Sequence, residues 1–87
     1  MRLDIFLKES RIIKRRTVAK SMCDEGYVFI FDKKAKASYE VKTGDEISIY
    51  FKQKKISYRV LDIPHKGTKK SESDKFSEVI GEEFYEK

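Results

Sequence analysis

Cysteine and histidine each occur once in the 87 residues, as Cys23 and His65. A lone thiol cannot close an intramolecular disulfide. One thiol with one imidazole cannot furnish the four Cys or His ligands of a structural zinc site, so neither metal nor other cofactor is expected. Long apolar runs are missing too: the longest, Tyr27-Val28-Phe29-Ile30-Phe31, falls far short of the roughly 20 residues that span a bilayer. Met1-Arg2-Leu3-Asp4 opens no signal-peptide hydrophobic region, and the expected location is the cytoplasm, off the membrane. Length itself is scarce. A domain of this size buries only about 60–65% of its unfolded surface, leaving little volume to enclose a substrate. Asp24-Glu25 and Asp45-Glu46 are adjacent carboxylates at an expected helix end and turn, where such pairs are solvated. His65 has no partner and Cys23 lies on an apolar stripe, where it reads as core rather than nucleophile. The expectation is not an enzyme.

Charge is what the chain has in abundance. Charged residues make up 40% of the sequence, against about a quarter in ordinary globular domains. The 39% hydrophobic content still suffices for a compact fold. Net charge is +5, unevenly spread: residues 71–87 hold two lysines against six carboxylates, a net −4, which leaves +9 on residues 1–70. A basic body with an acidic tail suits a polyanionic partner. A merely solvated lysine-rich surface is the plainer alternative.

Leu3, Phe6 and Leu7 recur at helical spacing, predicting a short first helix that ends near Ser10 to Ile12. A second helix is predicted from about Lys14 to Glu25, with Val18, Ala19, Met22 and Cys23 on its apolar face and Gly26 as its left-handed C-cap. The period then changes to that of strands: Tyr27–Phe31, Glu46–Phe51 after the turn signal Thr43-Gly44-Asp45, and Ile56–Leu61, closed by Pro64. Lys52 to Lys55 form a basic turn, and 65–73 has the composition of a polar linker. In the acidic segment 74–87, Phe76, Val79, Ile80 and Phe84 trace one face of a short amphipathic helix or tail. Gly81 weakens that helix, and a free helix of about a dozen residues is marginal, so it needs a surface to dock on.

The candidate site is Lys14-Arg15-Arg16-Thr17-Val18-Ala19-Lys20. Four cations crowd the start of a helix, the end whose free N–H groups and partial positive charge favour anions. Cations there are unfavourable unless an anion arrives to receive them, which points to phosphate. Arginine adds planar bidentate donors, lysine a point charge, and Thr17 a hydroxyl. Arg2, Lys8 and Arg11 join that surface if the helices form a hairpin; Lys33, Lys34 and Lys36 flank it if the strand turn lies alongside. For each of these the alternative is a solvated side chain.

The ordered pattern Arg2-Leu3-Asp4, Lys14-x-Arg16-Thr17-x-Ala19, Gly26-x-Val28 and Val41-x-x-Gly44-Asp45-x-Ile47 resembles the ribosomal protein S-four type RNA-binding domain, over about residues 1–51. Within it, chain length and the Lys-Arg-Arg-Thr run are most similar to the RqcP group of ribosome-associated quality-control factors, and next to the fifteen-kilodalton ribosome-associated heat-shock group. The resemblance implies an α+β fold: an N-terminal αα-hairpin packed on a small, mostly antiparallel sheet, with residues 1–64 as the RNA-binding domain. It also implies binding to large-subunit rRNA and to tRNA or peptidyl-tRNA on obstructed large subunits. There the family works with an RqcH-like tailing factor during C-terminal alanine addition; the free chain is expected to be a monomer. Arg2, Asp4 and Arg16 match the family's motif positions. Asp4 cannot attract phosphate, so its implied role is to orient a cation such as Arg16 or to accept a hydrogen bond from RNA.

One departure stands out: Phe31-Asp32 occupies the place of the family's Asn-Gly, which implies a different turn. Val28 and Ile30 are expected to face the helices, leaving Tyr27, Phe29 and Phe31 on the other side, to be covered by the tail, to stack on bases, or to meet a partner. Two other readings remain: a general recycling or heat-shock RNA-binding factor, and a protein-interaction module acting through the C-terminal helix.

Overall fold

A computed structural model describes residues 1–64 and 75–85. Two helices, α1 (Leu3–Glu9) and α2 (Arg16–Asp24), precede five strands: β1 (Val28–Ile30), β2 (Lys33–Lys34), β3 (Glu46–Tyr50), β4 (Lys54–Val60) and β5 (Ser77–Phe84). The expected linker at 65–73 lies outside the described residues. No helix among them is long and apolar enough to cross a membrane.

Helix α1 forms because Leu3, Phe6 and Leu7 share one face and are fully buried. It ends at Ser10, whose hydroxyl donates to the Phe6 carbonyl oxygen at 2.8 Å, and Arg11 reverses the chain from the left-handed region (φ 62°). Helix α2 begins later than the periodicity predicts. Lys14 lies ahead of it and Arg15 is its extended N-cap, with no side chain capping the first turn. Its buried residues are Ala19 and Cys23, whereas Val18, expected on the apolar face, is 46% exposed. The end of α2 is as expected. Gly26 has φ 84°, its N–H donates to Cys23 O, and the Tyr27 N–H donates to Met22 O. This Schellman arrangement satisfies two carbonyls and needs a residue without a Cβ penalty.

The sheet is antiparallel throughout, in the order β2-β1-β3-β4-β5. Val28, Ile30, Ile47, Ile49 and Val60 point at the helices and complete the core with Leu3, Phe6, Leu7, Ala19 and Cys23. The α+β architecture is the one expected.

Two expectations are overturned. The C-terminal segment is a strand, not a helix: Ser77–Phe84 pairs antiparallel with β4 from Val60 to Lys54. The outer edge of β4 offers a row of unpaired N–H and C=O groups, which a marginal helix carrying Gly81 cannot match. Phe76 is buried (5% exposed) while Phe84 is 72% exposed, so the supposed apolar face is split. A register shift between Ser57 and Tyr58 leaves Ile80 as an extra residue. Val79 and Phe84, an odd number of residues apart, are thereby returned to the same face, which is how a bulged strand imitated helical spacing.

The second concerns Phe31-Asp32. Ile30 pairs with Lys33 across a two-residue loop in which Phe31 (φ 48°) and Asp32 (φ 68°) are both left-handed. That is the backbone Asn-Gly would favour in a hairpin. The chain has kept it with Phe31, which is strained there, and Asp32, which tolerates it.

Candidate nucleic-acid interface

Asp4 organises the site. It is wholly buried at the start of α1 and accepts the Ile5 N–H at 2.9 Å. The Arg2 guanidinium donates to it from Nε at 3.2 Å and from Nη2 at 3.4 Å, and Arg16 Nε donates from the first residue of α2 at 3.5 Å. Both arginine side chains remain about half exposed, 43% and 54%. One buried carboxylate thus fixes the inner edge of two guanidiniums while their outer donors face solvent. In this geometry Asp4 holds cations rather than offering itself to a ligand, as one of its two implied roles requires.

A cleft of about 360 Å³ opens beside them, lined by Arg2, Lys20, Lys36, Asp24, Cys23, Ala37 and Ser38. Lys36 arrives there because residues 37–41 run antiparallel to the chain start: Asp4 N–H donates to Ala37 O, Leu3 N–H to Tyr39 O, and Val41 N–H to Met1 O. The same segment is braced by Asp45, which accepts from the Tyr39 hydroxyl and the Lys42 N–H, both at 3.0 Å. Asp45 is 7% exposed, so the sequence expectation of a solvated carboxylate there is wrong. Burial, then the Asp45 carboxylate, push the Tyr39 pKa up. Cys23 forms part of the cleft wall. Burial first, then Asp4 and Asp24, push its thiol up to about 11, which leaves it protonated and inert at neutral pH.

Not all the predicted site residues converge. Arg2, Asp4, Arg16, Lys20 and Lys36 do; Lys20 also pairs with Asp24 at 3.0 Å. Lys14, Arg15 and Thr17 are exposed around the uncapped start of α2. Lys8 pairs with Glu9 at 3.5 Å on α1, and Arg11 occupies the left-handed turn after it. Lys33 and Lys34 are exposed on β2, and the Lys34 side chain packs over Gly26 at the far end of α2. Asp24, Ala37 and Ser38 of the cleft were missed by sequence reasoning. Only the long-range pairing of residues 37–41 with 1–4 could have revealed the latter two.

The model of the S4 domain family matches residues 1–47. A Bacillus subtilis (strain 168) protein named RQC P-site tRNA stabilizing factor is 46% identical over 83 residues, spanning 95% of this chain and 95% of that relative. The chain belongs to this family. Family members of the same name include one from Streptococcus pneumoniae, 43% identical over 94% of this chain and 92% of its own, and one from Helicobacter pylori (strain 26695), 44% identical over 74% and 76%. Among solved structures, a hypothetical protein designated HP1423 superposes with a TM-score of 0.78 at 35% identity, covering 93% of this chain and 98% of that one. The trimeric Heat Shock Protein 15 of Vibrio cholerae gives a TM-score of 0.79 at 24% identity, covering 91% and 80%, a likeness of fold alone. Membership makes the chain a binding factor, not an enzyme.

Proposed function

We propose that the chain binds structured RNA through the Arg2–Asp4–Arg16 cluster and acts in ribosome-associated quality control. It docks on obstructed large subunits against rRNA and P-site peptidyl-tRNA. The observation that carries this reading is two half-exposed guanidiniums aligned by one buried carboxylate at an uncapped helix start. Free backbone N–H groups at that helix start and guanidiniums held by Asp4 are both suited to receive phosphate. Lys14, Arg15, Thr17, Lys20 and Lys36 extend the contact along the phosphate backbone, and Lys8, Arg11, Lys33 and Lys34 widen the basic field. Phosphate contacts position a protein by shape rather than by sequence. The name carried by the relatives supports P-site tRNA as the ligand. Holding peptidyl-tRNA in place would support C-terminal alanine addition by an RqcH-like tailing factor. The free chain acts as a cytoplasmic monomer.

Co-sedimentation tests this reading. Purified large subunits carrying peptidyl-tRNA should retain the chain, and vacant subunits should retain clearly less. Equal retention would remove the tRNA from the proposal, and retention by neither would remove the ribosome. A protein-interaction role through a C-terminal helix has lost its basis, because that segment is β5.

A further inference from the structure

The basic β3–β4 corner, the turn Phe51-Lys52-Gln53 with Lys54 and Lys55 that open β4, takes no part in the site above. None of its three lysines forms an ion pair with any described residue. Two lie over aromatic rings instead: Lys55 Nζ is 5.4 Å from the Tyr50 ring centroid and Lys54 Nζ 6.0 Å from that of Phe51. Between this turn and the end of α2 opens a groove of about 490 Å³, lined by Met22, Glu25, Tyr27, Tyr50, Phe51 and Lys52. Its two sides are tied together, since the Tyr50 N–H donates to Tyr27 O at 2.9 Å and the Schellman bond from Tyr27 N–H to Met22 O anchors that residue. Tyr27 is nevertheless 46% exposed. Helix α2, nine residues rising 1.5 Å each, sets this groove about 13.5 Å along its axis from Arg16.

We propose that this groove is a second RNA contact, which takes an unpaired base stacked on Tyr27 with the adjoining phosphate on Lys52 and Lys54. The inference rests on the RNA-binding reading above. The Tyr50 ring is already engaged by Tyr85 and Phe29, so the exposed Tyr27 ring is the one that offers a base its π-face, and Lys52 with the neighbouring Lys54 matches the phosphate that comes with it. Glu25 decides the orientation: its carboxylate repels phosphate from the helix side and can accept a hydrogen bond from a base amino group. An apolar peptide would bury these rings but leave Lys52 and Lys54 without an ion-pair partner among the described residues.

Fluorescence anisotropy with two labelled RNAs tests this, a blunt hairpin and the same hairpin with a single-stranded adenosine–cytidine tail. The wild-type chain should bind the tailed RNA about tenfold more tightly, as stacking one base provides. Tyr27→Ala and Lys52→Ala should remove that advantage and leave blunt-hairpin binding unchanged. Tyr27→Phe, which keeps the ring, should retain it. Arg16→Ala should weaken both RNAs together. Equal wild-type affinity for the two RNAs, or a tail advantage that survives Tyr27→Ala, would overturn the second site while leaving the first standing. Failure to bind either RNA would overturn both. If Tyr27→Ala lowers retention on large subunits but changes neither affinity, the groove belongs to a protein and the proposal is wrong.

Discussion

Substituting Arg16 and Asp4, singly and together, separates an oriented phosphate clamp from a diffuse basic surface. Arg16 Nε lies 3.5 Å from Asp4 Oδ2 and its side chain is 54% exposed. An ion pair that long, with Arg16 half exposed and the buried carboxylate still held by Arg2, contributes about 0.5 kcal/mol. Arg16→Ala should therefore lower the Tm by only about 2–4 °C in a domain of this size. Its effect on RNA should be far larger. Losing one charge-assisted contact to phosphate, worth about 1.5–3 kcal/mol, weakens affinity about 10- to 150-fold. With roughly four to six phosphate contacts, log K against log salt should have a slope of about −3 to −5 for the wild type and about one unit less steep for Arg16→Ala. Asp4→Asn is the sharper probe, because it makes the surface more positive. A diffuse basic patch would then bind more tightly; a clamp whose arginines have lost their anchor should bind less tightly. In the double variant the two losses should not add fully, since Asp4→Asn already releases the guanidinium that Arg16→Ala removes. Anisotropy titrations across a salt series, with thermal melts on the same samples, read all of this. Tighter binding by Asp4→Asn, or strictly additive losses, would refute the orienting role of Asp4.

Three further outcomes follow from the geometry. Replacing Phe31-Asp32 by Asn-Gly puts residues suited to the left-handed region at both positions and relieves Phe31 above all, which should stabilise the fold by about 1 kcal/mol after the entropy cost of the new glycine; an unchanged urea midpoint would contradict the turn geometry. Phe76→Ala should cost about 3–5 kcal/mol and Phe84→Ala less than about 0.5, because the first side chain is 5% exposed and the second 72%. Comparable losses in denaturant melts would restore a tail with one continuous apolar face. For Cys23, a folded pKa of about 11 against an ordinary 9.0 means that the unfolded thiol ionises first. Its contribution is thus complete below pH 9.0 and lost as pH rises through about 11. A thiol reagent at pH 8 should label the native chain about a hundredfold more slowly than the unfolded one, and equal rates would place Cys23 outside the core.

The sequence by itself determined what depends on near neighbours. Leu3, Phe6 and Leu7 mark α1 because helical geometry puts residues three and four apart on one face. Gly26 marks the end of α2 because few other residues accept φ 84° there. Val28 and Ile30 announce the buried face of β1 by their alternation, and Lys14, Arg15, Arg16 and Lys20 stand out because crowding cations at a helix start is locally unfavourable. Tertiary structure decided whatever depends on a partner distant in the chain. Lys36 reaches the Arg2 cleft, whereas Lys33 and Lys34 do not, through backbone bonds between residues 37–41 and 1–4. Asp45 is buried rather than solvated because Tyr39 and Lys42 satisfy it. The acidic segment is a strand because β4 presents an open edge, and its bulge returned Val79 and Phe84 to one face. Local periodicity records which side chains share a face; only the folded chain supplies the backbone partner that makes that face a helix or a strand.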